Sequence, residues 1–106
     1  MDNINDIWNE AMPSRFATEL TQIRDIELMR AFLRDVMTEG ELREVSARLR
    51  AAEMLRAGST YVDITKETKL SSRTIARISD WMQRGAGGYA AVLDGVYAHV
   101  SPVDVG

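Results

Sequence analysis

The chain has 106 residues, no cysteine, one histidine, 45% apolar residues, and 13 Lys and Arg against 16 Asp and Glu, for a net charge of −3. That length suits one domain folding without disulfides, and the composition excludes thiol chemistry, cysteine-based zinc sites and a histidine-rich metal centre. Apolar runs of only a few residues cannot span a bilayer, and the acidic start Met1-Asp2-Asn3-Ile4-Asn5-Asp6 is unlike a secretory leader, so a cytoplasmic protein with no membrane partner is expected. The acidic balance also speaks at first sight against a nucleic-acid binder.

Only two prolines occur, Pro13 and Pro102, which leaves the middle of the chain free to be helical. Ile4, Ile7, Trp8, Ala11 and Met12 fall at helical spacing, predicting a short amphipathic helix stopped by Pro13. A second helix starts at Ser14 and carries Phe16, Leu20 and Ile23. A third runs from Ile26 through Leu28, Met29, Phe32, Leu33, Val36 and Met37. Thr38-Glu39-Gly40-Glu41 has capping-box spacing and opens a fourth helix with Leu42, Val45, Leu49, Ala52 and Leu55 on one stripe, ended by Gly58. Thr60 caps a helix of about two turns with Asp63 at N3. After a break at Lys69-Leu70, Ser71 caps a longer one with Ile75, Ile78 and Met82 facing inward. The Gly85-Ala86-Gly87-Gly88 run ends it, a last helix spans Tyr89 to about His99, and Val100 to Gly106 forms a tail. The expectation is an all-α domain of about six helices, in which residues 1–57 form an N-terminal helical part, 58–85 a helix-turn-helix, 86–99 a C-terminal helix and 100–106 a tail.

A short helix, a tight turn and a longer helix outline a helix-turn-helix. With Ile64, Leu70, Ile75 and Ile78 joining the two helices, Ser72, Arg73, Thr74 and Arg77 point outward from the start of the second. Arg73, Arg77, Asp80 and Arg84 form one polar stripe. Arginine bonds guanine in bidentate fashion and hydroxyls meet phosphates or base edges, while free N–H groups near Thr60 and Ser71 suit phosphate. The plain alternative is a solvated helix face.

Charge separates these readings in part. Residues 1–57 carry net −3 and residues 86–106 net −2, while residues 58–85 carry net +2 from Lys66, Lys69, Arg73, Arg77 and Arg84 against three acids. The one positive segment is the helix-turn-helix, so Ser72, Arg73, Thr74 and Arg77 are expected at bases, and Thr60, Lys66, Lys69, Ser71 and Arg84 at phosphates. The rival is a helical protein-interaction or adaptor module that keeps the helix-turn-helix as scaffold, supported by the acidic total. No catalytic constellation is visible, so enzyme activity and a catalytic metal are not expected. Trp8 and Trp81 read as core or interface anchors, Met29, Met37, Met54 and Met82 as gap fillers, and His99 as a charge near a helix end.

The stretches Arg48-Leu49-Arg50-Ala51-Ala52-Glu53-Met54-Leu55-Arg56-Ala57-Gly58 and Thr60-Tyr61-Val62-Asp63-Ile64 resemble the Trp repressor superfamily. Ser71-Ser72-Arg73-Thr74-Ile75-Ala76-Arg77-Ile78, Gly85-Ala86-Gly87-Gly88-Tyr89 and Val92-Leu93-Asp94 look closer still to its YerC/YecD branch, and the resemblance runs from about Phe32 to Asp94. It implies an intertwined homodimer presenting two helix-turn-helix units to double-stranded DNA as a transcriptional regulator. It also implies an L-tryptophan effector beside Arg48 and Arg77, with Thr38 at the start of the central helix. Two departures bear on that effector. Ile78 stands where the repressor has a pocket glycine, and the spacing from Gly58 to Arg77 is one residue shorter.

Overall fold

In the computed structural model, residues 6–95 are described. They form a 3₁₀ turn (Asp6–Asn9) and six α-helices: α1 (Ala11–Gln22), α2 (Ile26–Val36), α3 (Glu39–Arg56), α4 (Tyr61–Thr68), α5 (Ser72–Arg84) and α6 (Gly88–Asp94). There is no strand among the described residues, as the helical spacing predicts. No helix among them is long and apolar enough to cross a membrane.

The helix starts follow their caps. The Asp25 carboxylate accepts from the Leu28 N–H at 2.9 Å ahead of α2. The capping box ahead of α3 is complete: the Thr38 hydroxyl accepts from the Glu41 N–H at 3.0 Å, and the Glu41 carboxylate accepts from the Thr38 N–H at 2.9 Å. Replacing a hydroxyl N-cap by alanine costs about 1 kcal/mol. Thr38→Ala is therefore expected to lower stability by about that amount in urea unfolding, and an unchanged midpoint would show the cap to be idle. At its other end α3 closes in a Schellman motif. Gly58 (φ +86°) donates to the Leu55 carbonyl and Ser59 to that of Met54, which takes a left-handed residue best supplied by glycine.

Two element boundaries differ from expectation. Pro13 does not stop a helix: it lies in the first turn of α1, which begins at Ala11, and the first N–H bonded within that helix is Ser14, to the Glu10 carbonyl. Proline is harmless there because N–H groups of a first turn have no helical acceptor. Helix α6 ends at Asp94 rather than near His99, because Gly95 takes the left-handed conformation (φ +71°) and its N–H returns to the Val92 carbonyl. Ile4, His99 and the expected tail lie outside the described residues.

The chain divides into two compact units, one up to Glu44 and one from Val45 on. The second holds a small apolar core. Ala51 and Ala52 of α3, Ile64 of α4, and Ile75 and Ile78 of α5 are fully buried, with Met54, Leu55, Leu70, Met82, Tyr89 and Leu93 packed around them. The first unit buries none of its described residues. Phe16 and Phe32 stack at 6.1 Å beside an open apolar groove of about 490 Å³ lined also by Ala11 and Met12. Ile7, Trp8, Met12, Ile26, Leu28 and Val36 of this unit are exposed. Neither tryptophan is a core residue of the chain: Trp8 is 48% and Trp81 43% exposed. Met29, Met37, Met54 and Met82 are half-buried.

Candidate nucleic-acid interface

Helices α4 and α5 and the three residues between them make the helix-turn-helix, held by the side chains that the spacing picks out: Ile64, Leu70, Ile75 and Ile78. The turn is also fixed by polar bonds. The Thr68 hydroxyl donates to the Ile64 carbonyl at 2.7 Å and accepts from the Leu70 N–H at 3.2 Å, and the Lys69 N–H closes α4 on the Thr65 carbonyl at 2.8 Å. Thr60 caps α4 by accepting from the Asp63 N–H, and Ser71 caps α5 by accepting from the Thr74 N–H, each at 3.1 Å.

Ser72, Arg73 and Arg77 are exposed on α5, with Ile75 and Ile78 buried on its opposite side. Thr74 is drawn partly inward instead. It is half-buried, and its hydroxyl accepts from the Ser71 hydroxyl at 3.1 Å. Ser71-x-x-Thr74 has the reciprocal spacing of a cap, which is the sequence signal for that engagement. Ala76 is exposed on the same outward face, a position that residue type alone does not single out.

The cations of the segment differ in how they are used. Lys66, Lys69, Arg73 and Arg77 are exposed and make no ion pair among the described residues, whereas Arg84 is paired with Asp80 one turn before it. Elsewhere Arg15, Arg30, Arg34, Arg43, Arg50 and Arg56 are each paired with a carboxylate. Arg50 bridges helices, meeting Glu53 of α3 and Glu67 of α4, each at 3.2 Å, and these bonds raise its already high pKa. Arg56 meets Asp94 at 2.5 Å and ties the end of α3 to α6. Arg24, between α1 and α2, is also exposed without an ion pair among the described residues, but the other such cations, Lys66, Lys69, Arg73 and Arg77, all lie on α4, the turn and the start of α5.

Lys69 sits in the left-handed region (φ +66°), a conformation that costs a non-glycine residue about 1 kcal/mol or more. Lys69→Gly is expected to raise stability by about 0.5–1 kcal/mol while weakening DNA binding and lowering its salt dependence, since one phosphate partner per subunit is removed. A gain in stability with unchanged DNA affinity would show that the charge does no work there.

The residues tied to an effector are placed as follows. Thr38 is the cap of α3. Arg48 is half-buried near Tyr89 of α6; burial raises the Tyr89 pKa, and the Arg48 charge draws it back down. Arg77 faces outward, and Ile78 beside it fills the core with no exposed surface. A groove of about 400 Å³ lies where α3, α5 and α6 meet, lined by Leu55, Arg56, Ser79, Met82, Gln83 and Asp94, and neither Arg48 nor Arg77 lines it.

Comparison with known proteins agrees with this geometry. A family model described as Trp repressor protein matches residues 13–96. The chain is 35% identical over 77 residues to the uncharacterized protein YerC of Bacillus subtilis (strain 168), covering 73% of this chain and 74% of that one. It is also similar to the crystal structure of a TrpR-like protein from Eubacterium eligens ATCC 27750, with a TM-score of 0.80 at 28% identity, over 87% of this chain and 95% of that chain. With its helix-turn-helix and all-helical fold, the chain belongs to the Trp repressor family, in its YerC-like branch.

Proposed function

We propose that the protein is a cytoplasmic, non-enzymatic transcriptional regulator that binds double-stranded DNA as a homodimer through α4 and α5. The observation that carries this reading is the contrast in pairing: Lys66, Lys69, Arg73 and Arg77 are exposed and make no ion pair among the described residues, while six arginines outside the segment, Arg15, Arg30, Arg34, Arg43, Arg50 and Arg56, are held by carboxylates. Ser72, Arg73 and Arg77 read base edges while Thr74 is engaged with the Ser71 cap beside them, and Arg73 and Arg77 carry most of the discrimination because bidentate guanine contacts are the commonest specific ones. Thr60, Ser71, Lys66 and Lys69 set the register on phosphates. Arg84 joins them by exchanging Asp80 for a phosphate.

Dimerisation is supported by the first unit. A monomer rarely leaves so many large apolar side chains of one small unit in water, and Ile7, Trp8, Met12, Ile26, Leu28 and Val36 are all exposed here. A second copy supplies one, and two-fold symmetry doubles a modest charge patch while setting the two α5 helices about 34 Å apart, one turn of DNA. The test is selection of bound duplexes from a genomic library, run with and without L-tryptophan. A palindromic consensus is expected. Dependence of its recovery on L-tryptophan would assign the effector role to Thr38, Arg48 and Arg77. Recovery of no sequence, together with protein partners captured through α4 and α5, would favour the adaptor reading.

A further inference from the structure

Among residues 72–78 of α5, every exposed side chain is polar except one. Ser72, Arg73, Ala76 and Arg77 face outward, and the apolar Ile75 and Ile78 are buried. Ala76 stands three residues after Arg73 on α5, about 60° round the helix from it, and is exposed with Arg73 and Arg77 on the side away from the buried Ile75 and Ile78. We propose that Ala76 reads a thymine in each half-site by packing against its 5-methyl group. This rests on the DNA-binding reading above.

The chemistry leaves few other occupants for that position. A helix laid in the major groove brings its outward side chains against base edges that carry hydrogen-bonding groups, apart from one apolar group, the methyl of thymine. Alanine can satisfy none of the polar groups, and pressing it on one would bury that group without a partner. Against the thymine methyl it buries apolar surface on both sides. Its shortness matters as well, because a larger residue would hold the helix away from the groove floor that Arg73 and Arg77 must reach. The other side chain carrying a methyl in these turns, Thr74, is half-buried and engaged with Ser71. Guanine contacts from two arginines with a thymine beside them give the half-site a pattern that neither arginine would supply alone.

The test uses the full chain and a duplex chosen by wild-type protein from a random library. Each thymine of the half-site is replaced in turn by uracil, which removes the methyl and keeps every hydrogen-bonding group. One position per half-site is expected to lose about fourfold in affinity, the worth of one methyl withdrawn from water, and about fifteenfold when both half-sites are changed. Ala76→Gly, shown to be folded by its melting curve, is expected to bind the thymine and uracil duplexes alike. Should the glycine protein be unstable, Ala76→Ser supplies the same comparison, since a hydroxyl in place of the methyl contact should likewise bind the thymine and uracil duplexes alike. The proposal is overturned by a duplex in which no uracil substitution costs more than about 1.5-fold, within the spread of a neutral contact. It is equally overturned by a uracil penalty that persists in folded Ala76→Gly. Failure to select any duplex would instead overturn the DNA-binding reading itself.

Discussion

Replacing Arg73 with alanine is expected to weaken binding to the selected duplex by about 1–3 kcal/mol and to relax preference at one base position. Arg73 lies in the first turn of α5, exposed and without an ion pair, so no intramolecular contact is lost on truncation and the fold should be untouched. Arg77, one turn further along the same stripe, should behave likewise, and the double variant should bind little better than it binds random DNA. The contrast that separates base reading from charge is Lys66→Ala. It should weaken binding to all sequences by a similar factor and leave the consensus intact. Equal affinities of wild type and the Arg73→Ala, Arg77→Ala protein for the selected duplex would show that α5 is only scaffold.

Ile78→Ala is expected to cost about 2–5 kcal/mol in urea unfolding with little change of slope. Ile78 has no exposed surface and is one of five fully buried core residues among the described ones, so few neighbours can close the space it leaves. A loss of that size is a large share of the stability of any small domain. The same side chain orients α5 against α4, so DNA binding should fall as the protein unfolds, not before. A cost below about 1 kcal/mol would mean that the site collapses around a smaller residue.

Much of this was legible in the chain because the signals are local. Thr38 with Glu41, Thr60 with Asp63, and Ser71 each sit ahead of an apolar stripe, and all three cap as their spacing predicts. The inward set Ile64, Leu70, Ile75 and Ile78 follows from helical period and a known turn length. Pro13 misled because a proline that breaks a helix interior is tolerated in a first turn, and only the position of the helix start tells the two apart. Helix α6 was read through Gly95 since apolar residues continue beyond it, while a left-handed glycine overrides that pattern.

The pairing state of the cations was less legible. Arg84 with Asp80 is a spacing signal. Arg50 with Glu67 and Arg56 with Asp94 join different helices, and only the tertiary arrangement brings them together. That difference changes the meaning of the net charge of −3. What matters for DNA is the small number of cations left without carboxylates.

Central to this reading, Lys66, Lys69 and Arg84 meet phosphates while Arg73 and Arg77 meet bases, and the dependence of affinity on salt tests the phosphate contacts most directly. With Lys66, Lys69 and Arg84 on phosphates in both subunits, the logarithm of the binding constant for the selected duplex should fall linearly with the logarithm of salt concentration at a slope of about −5, dropping to about −4 in Lys66→Ala. An affinity that does not change with salt would contradict the account.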